Sequence, residues 1–233
     1  RHFLRPLVND KKRKEKTDEK DRRELKGIFE KILVAIAVTM SLFHMYVLGV
    51  SPINPWILYS IHLMFGILII MSQYPGFSSS PKDRISAWDF FLALMGSMAC
   101  AYIIWNYEDL INRIPVMPTG WDLFFGVVVI LIVLEIARRT TGPTLPIAAI
   151  LFLFYAKFGD AIPGVFGHRG YHWDRIITQM FSMEGVFGLP LEVSATYIIL
   201  FIVFSGFLSV SGGGQFFIDI ALSLAGRAKG GPA

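Results

Sequence analysis

The sequence predicts an all-α, polytopic transmembrane protein, and three observations support this fold class. The 233 residues are 54% apolar, above the roughly half that a soluble domain carries. The apolar residues gather into nearly charge-free windows of about 20 residues, the length that a bilayer requires. These windows do not alternate apolar and polar residues, so they do not fit the strands of a membrane barrel. We expect about six spans, an interfacial helix and the start of a re-entrant hairpin.

Residues 1–27 are highly charged and are predicted to form a cytoplasmic tail. Twelve of the 22 lysine and arginine residues fall within the first 31 positions. Residues 1–26 cannot bury a core, so we expect them to be solvated, with a helix near residues 20–31. A regulatory or lipid-headgroup role is the alternative for this tail. No signal peptide is visible, and a chain that starts at Arg1 instead of Met is expected to be part of a longer polypeptide.

Four spans follow the tail. They are predicted at Ile28 to Leu48, Pro55 to Met71, Ala87 to Trp105 and Trp121 to Ala137. Four of the five tryptophans lie near the span ends, as an interfacial aromatic belt predicts. With the tail in the cytoplasm, sixteen lysine and arginine residues fall on the inner side of these spans and one, Arg113, falls outside. This asymmetry predicts a cytoplasmic N-terminus and a four-helix unit over residues 28–139.

A Thr-Thr-Gly-Pro break at residues 140–143 opens the second unit, residues 140–233. A fifth span is predicted at Pro143 to Phe158. The segment from Trp173 to Met183 is too short to cross a bilayer, but its apolar residues fall on one helical face. We expect it to lie along the outer interface, and a short helix packed between spans is the alternative.

The end of the chain holds a full span, a break and a half-length apolar segment. The span is Val193 to Val210, the break contains Gly212, Gly213 and Gly214, and the half-length segment is Gln215 to Ala225. This pattern is typical of transporters that bind substrate near the middle of the bilayer with broken helices. If the last segment turns back to the cytoplasm, the count of basic residues is 18 inside and 4 outside. We therefore expect it to be a re-entrant arm.

Two groups of residues are candidates for an ion or substrate site. Asp219 lies in the half-length segment, where a carboxylate can hold a cation or accept a proton, and the alternative is a side chain that faces solvent. The triple glycine allows a tight turn or unwound backbone beside a site, and a plain loop is the alternative. Glu135 lies within the fourth span, but Arg138 and Arg139 follow at helical spacing, so we expect a structural ion pair there.

The remaining chemistry-bearing residues argue against an enzyme. His44 and His62 stand singly within spans and are expected to pack or to form interhelical hydrogen bonds. His168 and His172 are separated by Gly170, which argues against a helical metal pair. The sequence has no nucleotide-binding loop, no metalloprotease or hydrolase motif and no pattern of redox-cofactor ligands. We therefore expect no catalytic residue, metal or cofactor, and the placement of the charge points to membrane topology instead of nucleic-acid binding.

The second unit resembles the large membrane subunit of tripartite ATP-independent periplasmic (TRAP) transporters. The resemblance is carried by residues 138–159, GVFG at 185–188, VSATY at 193–197, the run from 211 to 219 and GGPA at 230–233. It is closest to the TAXI type, in which the small and large permease subunits are fused. Glu192 departs from the small residue expected there. Residues 28–139 match the small-subunit scaffold by position and span count alone.

The resemblance implies a secondary transporter in the bacterial inner membrane. It implies that a periplasmic solute-binding protein delivers an organic acid anion, that a Na⁺ or H⁺ gradient drives uptake, and that the large subunit moves as an elevator. The half-length segment would then open the first substrate-clasping hairpin, and the substrate ligands would lie beyond residue 233. A non-transporting membrane scaffold or anchor is the rival hypothesis, and a broken helix is the feature that such an anchor does not need.

Overall fold

The computed structural model describes residues 22–77, 79–114 and 116–225, and all regular structure within them is helical. The helices are α1 (Ile28–Gly49), α2 (Pro55–Gln73), α3 (Ala87–Arg113), α4 (Gly120–Thr141), α5 (Thr144–Phe158), α6 (Trp173–Met180), α7 (Leu189–Val210) and α8 (Gly213–Ala225). Two short 3₁₀ turns, Gly159–Ala161 and Gly164–Phe166, lie between α5 and α6. Within this part of the chain, six helices are long and apolar enough to cross a bilayer. The predicted polytopic all-α fold is confirmed.

Side-chain caps explain where three of the helices begin. The Asn54 side chain accepts a hydrogen bond from the backbone of Trp56 and is followed by a proline at the first helical position. Ser86 caps α3 through the backbone of Asp89. Thr119 and Asp122 form a reciprocal capping box at the start of α4. These caps satisfy backbone donors that a membrane helix leaves unpaired in its first turn.

Two predicted boundaries are wrong. The helix α3 runs to Arg113, eight residues beyond the predicted end at Trp105, so residues 106–113 are helical and do not belong to a loop. Its 27 residues make it about 40 Å long, which exceeds a hydrocarbon core of about 30 Å. At the other end of the chain, residues 22–27 are not helical, and α1 begins at Ile28 after Gly27, whose φ is 68°. Residues 1–21 lie outside the described residues.

The helices α2, α3 and α4 form the packed centre of the bundle. The helices α2 and α3 make the most extensive contact, and Gly96 on α3 lets the two approach closely. A methyl group at Gly96 would lie 2.9 Å from Ile67 on α2 and 3.2 Å from Ile132 on α4. Met71 and Cys100 are fully buried in the same core. The helices α1, α5 and α7 pack around this centre and leave most of their apolar surface uncovered within the described chain.

The alternation of the helices places the polar clusters at two ends of the bundle. The start of α3 and the last residues of α2 and α4 meet at one end, which we call the Arg23 end. The first residues of α2 and α4 and the last residues of α3 meet at the other, which we call the Asp122 end. The helix α7 packs against both α1 and α2.

The amphipathic helix α6 packs against α4 and α5 within the protein. Gly126 on α4 accommodates it, because a methyl group there would lie 2.6 Å from the Ile177 side chain. The residues that follow α6 continue into the core, where Phe181 and Phe187 are fully buried. The structure therefore favours the packed short helix over a helix that lies free along the interface.

The substitution Gly126→Val tests this packing. The added side chain overlaps Ile177, so we expect the free energy of unfolding to fall by about 1–3 kcal/mol, as in other overpacked cores. Thermal unfolding of the purified protein in detergent measures the loss. The matched control is Gly66→Val on α2, where nothing lies within 4 Å of an added methyl group. An equal loss in both variants would contradict the close contact between α4 and α6.

Candidate functional site

The break between α7 and α8 lies where the sequence predicts it. Gly212 has a φ of 74°, a left-handed conformation that favours glycine, and it turns the chain between the two helices. Gly213 is close to Leu208, since a methyl group there would lie 2.8 Å from its side chain. The 13 residues of α8 span about 20 Å, which is too short for a bilayer crossing. A full span, a turn and a half-length helix are therefore present in the structure.

Asp219 lies on the exposed surface of α8. Its Oδ1 accepts a hydrogen bond of 2.8 Å from Nε2 of Gln215, one turn earlier on the same helix. Among the described residues, α8 packs against α7, and its apolar side chains are largely uncovered. The uncovered apolar side chains are Phe216, Phe217, Ile218, Ile220 and Leu222. The roles of Asp219 and of Gly212–Gly214 in ion or substrate binding stay predictions.

A buried ionic network joins three helices at the Arg23 end. The Asp89 carboxylate is fully buried at the start of α3 and pairs with both Arg23 and Arg139, whose side chains are also fully buried. The Arg139 contact, Nη1 to Oδ1, is 2.7 Å long. Arg23 also donates to the carbonyls of Met71 and Pro81. The prediction that the tail is solvated is therefore wrong for Arg23, because its side chain is buried in the ion pair with Asp89.

The predicted ion pair of Glu135 is confirmed. Its carboxylate accepts hydrogen bonds of 2.7 Å from Arg138 and 2.8 Å from Arg139. Arg139 bridges Glu135 to Asp89 and also donates to the Tyr74 carbonyl, while Arg138 donates to the Gly76 carbonyl. The pair is thus one part of a larger network that holds the ends of α2 and α4 together.

A second buried carboxylate holds the Asp122 end. Arg113 binds Asp122 in a bidentate manner, with both N–O distances at 2.9 Å. The Tyr102 hydroxyl donates to Asp122 at 2.7 Å, and Thr119 donates through its backbone and its hydroxyl. Five donors therefore surround a carboxylate that has no solvent exposure. This network fixes the long end of α3 against the start of α4.

A third polar group lies inside the bundle between its two ends. His44 on α1 is fully buried, and its Nε2 lies 3.0 Å from Nδ1 of His62 on α2. Nε2 of His62 lies 3.0 Å from Oγ of Ser194 on α7. The expected role of the two histidines in interhelical hydrogen bonding is confirmed. Ser194 begins a π-helical turn, Ser194–Ile198, a distortion that is often found at functional sites.

His168 and His172 lie on either side of Gly170 in the loop before α6. His168 packs at a ring distance of 4.9 Å from Tyr155 and accepts a hydrogen bond from the backbone of Gly170. His172 is the exposed residue that precedes α6. Among the described residues, no cluster of three metal-ligating side chains is present.

Two cavities flank α6. One, of about 620 Å³, lies between α4, α5 and α6 and is mostly apolar. The other, of about 450 Å³, lies between α6, the start of α2 and the end of α3. Arg175 and Gln179 on α6 line both cavities. A separate cavity of about 660 Å³ at the Arg23 end is lined by Arg138 and Arg139 among others. The cavities that flank α6 are large enough for a small organic molecule.

Sequence reasoning missed the two carboxylates that organise the bundle ends. The signal was available, since Ser86 and Asp89 and then Thr119 and Asp122 are capping pairs spaced three residues apart at the predicted helix starts. The identity of the arginine partners was not available, because Arg23 lies 66 residues from Asp89 in the chain.

The substitution Asp89→Asn tests the ionic network. It leaves two buried guanidinium groups without their carboxylate, so we expect the free energy of unfolding to fall by about 3–5 kcal/mol. Thermal or denaturant unfolding in detergent measures the loss. The matched control is Asp83→Asn in the loop before α3, where the side chain is exposed and a change within about 0.5 kcal/mol is expected. A neutral Asp89→Asn variant would show that the network does not stabilise the bundle.

Comparison with known proteins gives one match. Residues 128–233 match the family model described as the tripartite ATP-independent periplasmic transporter, DctM component. The curated proteins and the solved structures yield no match to the chain. The matched region starts within α4 and includes α5, α6, α7, the glycine break and α8. The C-terminal part of the chain is therefore similar to the DctM component of TRAP transporters.

Proposed function

We propose that the chain is a permease component of a TRAP transporter, a secondary transporter that is supplied by a periplasmic solute-binding protein. The match of residues 128–233 to the DctM component carries this proposal. The structure supports it because α7, the Gly212 turn and the half-length α8 form the kind of broken helix that secondary transporters use near their binding sites. A transporter of this kind catalyses no chemical reaction.

The two parts of the chain have different roles in this proposal. Residues 28–139 act as the scaffold that corresponds to the small subunit, and residues 140–233 begin the transport domain. The buried carboxylates at both ends of α2, α3 and α4 suit a rigid scaffold. A single chain that carries both parts corresponds to the fused TAXI type.

The substrate is an organic acid anion, and a Na⁺ or H⁺ gradient drives its uptake by an elevator motion. In this mechanism α8 is the first arm of a hairpin that clasps the substrate, with Gly212–Gly214 as its turn and Asp219 near the ion site. The uncovered apolar surface of α8 supports this role, because re-entrant backbone needs other parts of the protein around it at membrane depth.

In the proposed orientation, the Arg23 end faces the cytoplasm, and the membrane is a bacterial inner membrane. Seven lysines and arginines of the described residues lie at this end, namely Arg22, Arg23, Lys26, Lys82, Arg84, Arg138 and Arg139. The positive-inside rule associates such a concentration of basic residues with the cytoplasmic side. Residues 1–27 are then a cytoplasmic tail.

A non-transporting scaffold or anchor is the second candidate function. The ionic networks at both bundle ends favour it, because they hold α2, α3 and α4 in one arrangement. The half-length α8 is the observation against it, since an anchor has no need of a broken helix.

An uptake assay tests the proposed function. Proteoliposomes that contain the full-length permease are expected to accumulate an organic acid only when both a cognate solute-binding protein and an ion gradient are present. Radiolabelled substrate measures the uptake, and an ionophore that collapses the gradient provides the control. Uptake that requires ATP, or that proceeds without a binding protein, would exclude a TRAP transporter, and an absence of uptake under all conditions would favour the anchor.

Cysteine labelling tests the re-entrant arm. Single cysteines at Ser211 and Ala228 are expected to react with an impermeant maleimide from the same, cytoplasmic side of the membrane. The native Cys100 is fully buried in the core and gives little background, and its replacement by alanine removes the rest. Labelling of the two positions from opposite sides would show that the segment crosses the bilayer.

A further inference from the structure

The directions of the hydrogen bonds around His44 and His62 follow from one fixed acceptor. A carbonyl oxygen only accepts, so Nδ1 of His44 carries the hydrogen that points to the Met40 carbonyl at 2.7 Å. In a neutral ring, Nε2 of His44 is then an acceptor, and Nδ1 of His62 must donate to it. Nε2 of His62 is left to accept from the Ser194 hydroxyl. Both neutral imidazoles therefore have all their ring nitrogens paired.

This arrangement has room for one additional proton. If both rings were imidazolium ions, each would direct an N–H group at the other across the 3.0 Å contact. A single proton can be placed on Nε2 of His62, provided that the Ser194 hydroxyl rotates from donating to accepting. We infer that His44, His62 and Ser194 form a binding site for one proton, and that its occupancy controls how α7 packs against α1 and α2.

The immediate surroundings of the two rings contain few titratable groups. On α1, His44 contacts the Met40 carbonyl and the edge of the Phe43 ring, at a centroid distance of 5.2 Å. On α2, Tyr59 lies one turn before His62 and is buried. Its hydroxyl interacts with Glu192 on α7, which is itself exposed. Tyr59 and Glu192 therefore interact with each other close to the histidines.

The helices α3 and α4, which also pack on α2, have their carboxylates engaged elsewhere. The buried Asp89 and Asp122 and the partly exposed Glu135 are each held by arginines at an end of the bundle. An imidazolium at His62 would therefore add a net charge to a buried contact, which is costly. At neutral pH the site is empty, and a proton enters it at the expense of the packing around it.

A small cavity lies between α1, α2 and α7 at the Asp122 end of the bundle. This cavity, of about 190 Å³, is lined by residues that include Tyr59 and Thr196. Tyr59 is three residues before His62, and Thr196 is two residues after Ser194. A proton that reaches Nε2 of His62 from a hydronium ion leaves a water molecule behind, so the step needs no other reactant.

The site lies between the two parts of the chain. His44 and His62 precede the region that matches the DctM component, whereas Ser194 lies within it. The hydroxyl that must reverse its hydrogen bond is thus the one on α7, at the first residue of its π-helical turn. A proton therefore changes the contact through which α7 is held by α1 and α2, whether or not the chain transports a solute.

Nitrogen NMR of this chain in lipid nanodiscs, with ¹⁵N in the five histidines of the sequence, tests the site. Single His→Gln substitutions assign the signals, and the exposed His172 serves as the reference. At pH 8 we expect His44 and His62 to be neutral with their hydrogens on Nδ1. Between pH 8 and pH 4, the pair is expected to take up one proton. Two protons on the pair, none at pH 4, or hydrogens on Nε2 at pH 8 would overturn the proposal.

The pH dependence of thermal stability provides a second test. Below about pH 6.5 the unfolded chain binds protons that the neutral pair in the folded protein excludes, so stability falls as the pH falls. Each excluded proton lowers the ratio of folded to unfolded protein about tenfold per pH unit. We expect His62→Gln, whose amide can still donate and accept, to lose part of this dependence, while His172→Gln retains it. An identical pH dependence in both variants would overturn the proposal, and the NMR test on the unmodified chain applies even if His62→Gln does not fold.

Discussion

Asp89 is a fully buried carboxylate that is held between two fully buried arginines, and the arrangement of the central helices depends on this contact. Inside a bilayer, a charge without a partner is far more costly than a missing apolar contact. The ion pairs of Arg23 and Arg139 with Asp89 therefore hold the segment before α1 and the end of α4 against the start of α3. The carbonyls that they bind fix the end of α2 as well.

A buried carboxylate also needs its partner at the opposite end of the bundle. The helices therefore differ in whether buried ion pairs hold them. Asp122 requires Arg113, so α3 must continue beyond the expected membrane boundary until its last residue reaches the start of α4. The helices α3 and α4 are thus held at both ends, and α2 is held at the Arg23 end. The helices α5, α7 and α8 carry no buried ion pair among the described residues, and most of their apolar surface is uncovered. A rigid centre therefore carries peripheral helices whose packing is set by weaker contacts.

The predictions from sequence succeeded where the interacting residues are close together in the chain. The spans follow from the length of charge-free windows, and the pair of Glu135 with Arg138 and Arg139 follows from helical spacing. The contacts of Asp89 and His62 could not be predicted, because their partners lie 66 and 132 residues away. The end of α3 was missed since its last turn is polar by composition and is stabilised by a partner on α4. The function of Asp219 stays a prediction, and its hydrogen bond to Gln215 is local.

The helix α4 links the two parts of the protein and limits how they can move. The region similar to the DctM component begins at residue 128, inside α4, but the last turn of that helix is tied to α3 through Arg139 and Asp89. The two parts therefore cannot separate within α4 without leaving a buried carboxylate with only one of its arginines. Gly142, with a φ of 86°, is the first residue after α4 and lies beyond these ion pairs. The link to α5 therefore lies outside the ion pairs of α4, whereas α7 is tied to α2 through the hydrogen bond between Ser194 and His62.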